Sequence, residues 1–248
     1  MTTTWRPIGL DELVRRAALM TRIDRKYVLP VTDLSAVLDG LDAARILDID
    51  GRREFAYRTV YFDTPELSSY LATARARRRR FKVRIRTYVD TGARFLEVKT
   101  RDGRGSTVKH RTPCDDEQLD YHARAFTLAV LHGAGIAADA GRFQPTLTTL
   151  CRRTTLFVPA AGSRVTVDTG LAWALPGGPV AQLPDRAILE TKADRAVSGV
   201  DRLLWSLNRR PSAVSKYGTG LAALRPELPS NRWRPVLRRH FTTLTDGS

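Results

Sequence analysis

The segment from Arg80 to Arg86 alternates strictly between cationic and apolar side chains. In an extended strand, four cations then share one side and three apolar residues share the other: Arg80, Lys82, Arg84 and Arg86 against Phe81, Val83 and Ile85. Same-side residues lie about 6.5–7 Å apart along a strand, a spacing that suits a chain of phosphates better than one compact anion. Such a row repels itself unless solvent, facing carboxylates or a bound anion neutralises it.

Later strand candidates repeat this division into a charged side and an apolar side. Alternation predicts strands over Lys82–Val89, Arg94–Thr100, Thr107–Arg111, Thr148–Val158, Arg164–Asp168 and Ala187–Lys192. An open sheet would place each charged side in water. The same pattern on several strands instead favours an α+β fold, in which a closed antiparallel β-barrel packs its apolar side against outer helices. The charged sides would then line a polar tunnel.

The spacing of apolar residues predicts helices over 10–20 and 116–131, and Pro65 is expected to begin another helix.

Composition limits the partners and the compartment. A chain of 248 residues can form one sizeable core, so we predict one domain over 1–226 and a loosely packed tail over 227–248. A net charge of +15 indicates an anionic partner: nucleic acid, an acidic membrane surface or phosphorylated molecules. Cys114 and Cys151 form no C-x-x-C motif, so neither a zinc site nor a disulfide framework is indicated. With no apolar leader or membrane-length apolar run, we expect a cytoplasmic protein.

The charged sides suggest a specific chemistry. Arginines would grip phosphate oxygens with their forked guanidinium groups, while lysines would act as point charges. Glu190 and Glu97 are candidate ligands of a divalent metal that bridges phosphate oxygens, because hard cations prefer oxygen ligands. The alternative for each is an ordinary Glu-x-Lys surface pair with Lys192 or Lys99, which would contribute little.

At these residues the sequence resembles the VTC-type polyphosphate polymerase domains of the CYTH-like, triphosphate tunnel metalloenzyme superfamily. The resemblance covers the chain from about Leu10 to Leu224 and rests on the order and spacing of several short motifs. These are Arg22–Tyr27, Val60–Thr64, Lys82–Tyr88, Glu97–Lys99, Arg153, Arg164–Asp168, Ile188–Lys192 and Ser215–Tyr217. It implies an antiparallel tunnel barrel of about eight strands.

The resemblance also implies residue roles. Phosphate-binding positions would be Lys26, Arg84, Arg86, Lys99, Arg153, Arg164 and Lys216, with Ser215 beside them and Lys109 a further member. Lys82 joins them as a substrate-binding residue of the cation row. Glu190 matches the metal-binding position, which in this superfamily takes Mn²⁺ or Mg²⁺. The implied reaction moves the γ-phosphate of ATP onto a growing polyphosphate chain and releases ADP. Arg84, Arg86, Arg153 and Arg164 would clamp the transferring group and the chain, with Lys26 near the reacting phosphates.

Two departures from the family pattern keep other functions open. Cys151 stands where the family commonly has a tyrosine, and Ala213 stands where a second lysine can occur. Each change would remove one phosphate contact that the family pattern implies, so a non-catalytic polyphosphate-binding module is an alternative. An inorganic triphosphate hydrolase is another, although this chain has Arg22-Ile23-Asp24-Arg25-Lys26 where the hydrolases carry Glu-x-Glu-x-Lys.

Two further partners belong to the same assessment. Nucleic-acid binding is disfavoured, because the arginines over 75–80 lack interleaved aromatic residues for base stacking. A membrane-protein partner that accepts the product cannot be read from the sequence.

Overall fold

The computed structural model of the protein describes residues 5–16, 23–103, 107–193, 197–241 and 245–246. The chain forms two compact units. Unit one comprises Met1–Phe55, Cys151–Leu171 and Leu183–Val214, and unit two comprises Ala56–Leu150, Ala172–Gln182 and Ser215–Ser248.

Strands dominate the described residues. They are β1 (Arg6–Ile8), β2 (Ile23–Pro30), β3 (Arg45–Leu47), β4 (Glu54–Asp63), β5 (Arg80–Tyr88), β6 (Arg94–Arg101), β7 (Thr107–Pro113), β8 (Gln144–Val158), β9 (Ser163–Ala174), β10 (Val180–Leu183), β11 (Arg186–Ala193) and β12 (Thr245–Asp246). The α-helices are α1 (Leu10–Arg16), α2 (Leu34–Asp39), α3 (Ser68–Ala74), α4 (Tyr121–Gly133), α5 (Gly199–Ser206), α6 (Lys216–Leu224) and α7 (Arg234–His240). The long strands β8 and β9 contribute residues to both units.

Unit one is built around β11, which pairs antiparallel with β2 on one side and with β9 on the other. Strand β3 pairs antiparallel with part of β8, and β1 pairs with β3 in parallel. Strand alternation sends Tyr27, Val165 and Leu189 into one core, which is completed by residues of α2 and α5 such as Leu34 and Leu204. The apolar sides of the strands therefore face the helices, as the sequence predicts.

Unit two contains the antiparallel series β4, β5, β6 and β7. Buried and half-buried residues alternate along the whole of β5, which confirms the alternation read from the sequence. Val83, Ile85 and Leu96 are fully buried in a core that includes Leu131 of α4 and Phe143. The predicted strands over 82–89, 94–100 and 107–111 are confirmed.

The strand pairs establish an α+β fold with an antiparallel sheet, but they do not establish the predicted closed barrel. Within the described ranges, the hydrogen-bonded strands of neither unit return to their starting strand. No helix within the described ranges is long and apolar enough to cross a membrane.

Two helix starts differ from the sequence expectation. Pro65 does not open a helix; α3 begins at Ser68, and the buried Asp63 carboxylate accepts from the amides of Ser69 and Tyr70, both at 2.9 Å. The helix predicted to begin near residue 116 begins at Tyr121, because the Asp120 side chain accepts from the amide of Ala123 and caps it. The helix predicted over 10–20 is described only to Arg16.

The segment after Pro226, which the sequence predicts to be a loosely packed tail, contains α7. Trp233 before this helix is 1% exposed, and its ring lies 5.3 Å from that of Tyr70, centroid to centroid. Gly218 of α6 lies directly against the same indole. The part of this segment up to Phe241 is therefore packed into unit two.

Candidate functional site

Each unit carries one charged strand face, on the side opposite its core. We name the residues Lys26, Arg153, Arg164, Asp168, Glu190 and Lys192 the unit-one charged face, and the residues Lys82, Arg84, Arg86, Glu97, Lys99 and Lys109 the unit-two charged face. Of the site residues predicted from sequence, Lys26, Arg153, Arg164 and Glu190 lie in unit one, whereas Lys82, Arg84, Arg86, Glu97, Lys99, Lys109, Ser215 and Lys216 lie in unit two.

Strand register assembles the unit-one charged face from distant parts of the sequence. Glu190 of β11 lies opposite Lys26 of β2 on one side and opposite Thr166 of β9 on the other. Two residues along, Lys192 lies opposite Arg164. Directly opposed residues in antiparallel strands have Cβ atoms about 4.5–5.5 Å apart, so these side chains are neighbours.

Arg153 is held by a buried carboxylate. Its Nε donates to Asp168 Oδ1 at 2.6 Å and its Nη2 donates to Oδ2 at 2.8 Å. Burial disfavours the charge of Arg153, but the Asp168 carboxylate outweighs burial and raises the pKa of the guanidinium. A bidentate pair fixes the plane of the guanidinium, so Arg153 is oriented before any anion binds.

Lys192 and Glu190 form an ion pair, with 3.3 Å between Nζ and Oε1 and 13% of each side chain exposed. Burial lowers the pKa of Lys192 to about 8, even though Glu190 opposes this shift. The sequence places Lys192 on the charged side but gives it no role in phosphate binding. In the structure its ammonium group belongs to the unit-one charged face.

A buried network fixes the residues that directly follow Lys26 and Glu190 in the chain. Asp201 of α5 accepts from the hydroxyls of Tyr27 at 2.8 Å and Thr191 at 2.7 Å. Tyr27 follows Lys26 and Thr191 follows Glu190, so these contacts pin β2 and β11 to α5. Asp201 also forms a reciprocal capping box with Ser198 at the start of α5.

The unit-two charged face contains like charges placed directly opposite each other. Lys82 of β5 is paired in register with Lys99 of β6, and Lys99 is paired with Lys109 of β7. Like charges in directly opposed positions destabilise a sheet. This arrangement therefore favours a ligand that carries many negative charges.

Glu97 is the carboxylate at the centre of this face, and it is 2% exposed. Its Oε2 accepts from Arg84 Nε at 2.7 Å and its Oε1 accepts from Lys109 Nζ at 3.1 Å. Burial alone would raise the pKa of Glu97, but Arg84, Arg86 and Lys109 outweigh it and hold this pKa well below its usual range. Glu97 thus stays ionised and holds two cations in place.

Two stacked tyrosine rings, those of Tyr61 and Tyr217, lie beside Arg84. Arg84 Nη1 lies 3.3 Å from the Tyr61 hydroxyl, and the Tyr61 and Tyr217 rings stack with centroids 5.0 Å apart. The Tyr217 hydroxyl donates to Asp63 Oδ2 at 2.6 Å. Burial raises the pKa of Asp63, and the tyrosine and backbone donors oppose this shift. Sequence reasoning missed the role of Asp63, although Tyr61, Asp63 and Tyr217 all lie in motifs that it singled out.

Ser215 and Lys216 lie at the start of α6. Ser215 Oγ accepts from the amide of Gly218 at 3.1 Å and from Lys82 Nζ at 2.8 Å, so this residue caps the helix and positions a cation of β5. The Lys216 carbonyl accepts from Trp173 Nε1 at 2.9 Å. Both predicted residues are thus fixed by the packing of α6.

The fit of a divalent metal differs between the two predicted ligands. Across the described ranges, no three or more His, Cys, Asp or Glu side chains group closely enough to hold a metal ion. Mg²⁺-like ions are often held by one or two carboxylates together with substrate phosphates. A single carboxylate, that of Glu190, can therefore fill this role. Glu97 fits it less well, because both of its oxygens already accept from cations.

Several solved structures of low sequence identity are similar to this chain. A candidate adenylyl cyclase from Hippeastrum, described as having a dominant triphosphatase activity, is 18% identical with a TM-score of 0.49, covering 86% of this chain and 100% of its own. Candidate adenylate cyclases from Bacillus halodurans and Vibrio parahaemolyticus are 10% and 11% identical with TM-scores of 0.45 and 0.42. The Bacillus halodurans comparison covers 92% of this chain and 94% of the other protein. The Vibrio parahaemolyticus comparison covers 76% of this chain and 87% of the other protein.

The family comparison is more direct. No protein of curated function matches the chain significantly. The family described as the VTC domain matches residues 21–225, which include every residue of both charged faces. This match confirms the family resemblance read from the sequence motifs, and the chain therefore belongs to the VTC domain family.

Proposed function

We propose that the protein is a metal-dependent polyphosphate polymerase that transfers the γ-phosphate of ATP to a growing inorganic polyphosphate chain. The observation that carries this proposal is the unit-two charged face. There Lys82, Lys99 and Lys109 stand side by side across three strands, next to Arg84 and Arg86. A linear polyanion would offset this repulsion along its whole length, whereas one small anion would offset only part of it.

Phosphoryl transfer suits this arrangement because it needs positioning and charge stabilisation more than covalent participation by the protein. A terminal oxygen of the chain attacks the γ-phosphorus, the bond between that phosphorus and the β–γ bridging oxygen breaks, and ADP leaves. Arg84, Arg86, Arg153 and Arg164 would hold the transferring group and the chain, with Lys26 near the reacting phosphates. Lys82, Lys99, Lys109, Ser215 and Lys216 would bind phosphates further along.

Glu190 would hold the Mn²⁺ or Mg²⁺ ion. When bound, such an ion neutralises charge on phosphate oxygens. Lys26 lies opposite Glu190 in register, so both groups would approach the same phosphates. We assign Glu97 a different role from that of a ligand: it keeps Arg84 and Lys109 aligned. We also propose a cytoplasmic location, in which Cys114 and Cys151 would remain free thiols.

The test uses purified protein with ATP and Mn²⁺, with polyphosphate detected on a gel. Glu190→Ala and Arg84→Lys should each lower polymer synthesis by about 10²–10³-fold, because each removes a group that stabilises charge during transfer. Arg152→Lys is the matched control, since Arg152 is exposed and pairs with Glu54 away from the charged face. Thermal unfolding of each variant shows whether it remains folded.

Two results would argue against the proposal. Near-normal synthesis in both Glu190→Ala and Arg84→Lys would remove these groups from the reaction. If no polymer forms but polyphosphate still binds tightly and in a salt-sensitive way, the protein is a binding module instead.

A further inference from the structure

Aromatic rings cluster at one end of the unit-two charged face. Tyr57 of β4 and Tyr88 of β5 have ring centroids 4.9 Å apart, and Tyr88 meets Phe95 of β6 edge to face at 5.7 Å. All three rings are half-buried. They lie on the same side of the sheet as the cations, because Tyr88 follows Arg86 by two residues and Phe95 is paired in register with Arg86.

Two guanidinium groups lie on these rings. Arg111 Cζ is 3.4 Å from the centroid of Phe95, which places the guanidinium directly on the ring face, and Arg111 Nη2 lies 3.3 Å from the Tyr88 hydroxyl. Arg86 Cζ is 5.4 Å from the centroid of Tyr57. Arg111 is exposed, so a ligand can reach its side chain.

The unit-two charged face therefore changes along β5 from a mainly cationic surface to a mainly aromatic one. Its first part carries Lys82 and Arg84, which suit phosphates, and its last part carries rings and a stacked guanidinium, which suit a planar aromatic group. One step of two residues, about 6.5–7 Å, separates Arg86 from Tyr88. A nucleoside triphosphate has the same division, with a flat base at one end and an anionic chain at the other.

We propose that Tyr57, Tyr88, Phe95 and Arg111 form a stacking platform for the base of a nucleoside triphosphate whose phosphates lie on Arg86 and Arg84. Flat bases stack on aromatic rings and on arginine guanidinium planes. The platform would select nucleotides over bare triphosphate through stacking, and because every base has a π-face it would accept different bases. Only the identification of the nucleotide as the phosphoryl donor rests on the function proposed above.

The test compares binding of ATP and ribose 5-triphosphate, which keeps the sugar and the triphosphate but has no base. Titration calorimetry without divalent metal prevents turnover. The unmodified protein should bind ATP at least about tenfold more tightly, the factor expected for stacking of one base. Arg111→Lys keeps the charge but removes the plane, and Phe95→Leu removes the ring. Each should bring the ratio of the two affinities towards one without weakening ribose 5-triphosphate.

Arg152→Lys again provides the matched control and should preserve the ratio. Equal binding of both ligands by the unmodified protein would overturn the platform, as would variants that weaken both ligands by the same factor. If Phe95→Leu does not fold, Arg111→Lys decides the question, because Arg111 is exposed and its replacement should leave the fold intact. Because binding is measured without turnover, absence of polymer synthesis leaves this inference standing, whereas absence of binding by either ligand contradicts both proposals.

Discussion

Glu97 determines the geometry of the cations on the unit-two charged face. Arg84 and Lys109 both donate to it, and it is the carboxylate that offsets the lysines opposed across β5, β6 and β7. Its burial would be costly without these donors, because an isolated buried carboxylate is strongly disfavoured. The charge and its partners are therefore interdependent at the scale of single residues.

Glu97→Gln should destabilise the protein by about 1–3 kcal/mol at neutral pH, because Arg84 and Lys109 lose a charged acceptor. The folded state holds the pKa of Glu97 well below its ordinary value of 4.5, so the unfolded state binds the proton more readily. The stability from this group is therefore present above pH 4.5 and is lost as the pH falls towards the folded-state pKa.

Denaturant unfolding of the two proteins across this pH range checks the prediction. The difference in free energy of unfolding between unmodified protein and Glu97→Gln should shrink as the solution is acidified. A difference that stays constant with pH would contradict the charged state assigned to Glu97.

Residue roles could be predicted only in part. Alternation alone places Arg84, Glu97 and Lys99 on one side of their strands, because side-chain direction depends only on local backbone. The pairing of Arg153 with Asp168 could not be predicted, because it depends on how β8 and β9 are aligned. The contact of Tyr217 with Asp63 likewise joins parts of the chain that only tertiary packing brings together.

At the scale of elements, α6 shows why a glycine-rich helix is needed behind the charged face. A Cβ atom at Gly218 would overlap the ring of Trp233, and one at Gly220 would overlap the ring of Trp173. The close approach of both indole rings fixes the distance of α6 from Trp173 and Trp233. It thereby also fixes Ser215, which caps α6 beside Lys82. The two glycines therefore lower the intrinsic helix propensity of α6 but permit close packing against the indole rings.

Gly220→Ala should destabilise the protein by about 1–3 kcal/mol or more, because the added methyl group forces Trp173 to move. Gly133→Ala is the matched control, since Gly133 ends α4 and has open space around its Cβ position. That change should be neutral or stabilising by up to about 1 kcal/mol. Thermal unfolding measures both, and equal effects at the two positions would contradict the packing argument.

Strands were easier to predict than helix boundaries and short elements. Period-two alternation identifies β5, β6 and β11 because one side of each is apolar. The short strand β10 and the helix α7 were not predicted, since neither shows a clear period. Pro65 suggested a helix start, but α3 begins three residues later at Ser68, where the buried carboxylate of Asp63 accepts from the amide of Ser69. The start is therefore set by this buried contact rather than by local propensity.

At the scale of the whole molecule, each unit has its own core and its own charged face. Part of the net charge of +15 lies on these two faces, whose named residues include nine lysines and arginines but only three carboxylates. Both sets of cations belong to the segment that matches the VTC domain. Each face therefore has its own test, Arg84→Lys for unit two and Glu190→Ala for unit one.

The most direct test of polymer synthesis is a phosphate balance with γ-labelled ATP, Mn²⁺ and the full chain. The account predicts that ADP and polymer-bound phosphate rise in equal amounts while free orthophosphate stays low. Orthophosphate released in step with ADP, with no polymer, would contradict it and identify a hydrolase. Binding of added polyphosphate without any ADP formation would contradict it as well and leave a polyphosphate-binding module.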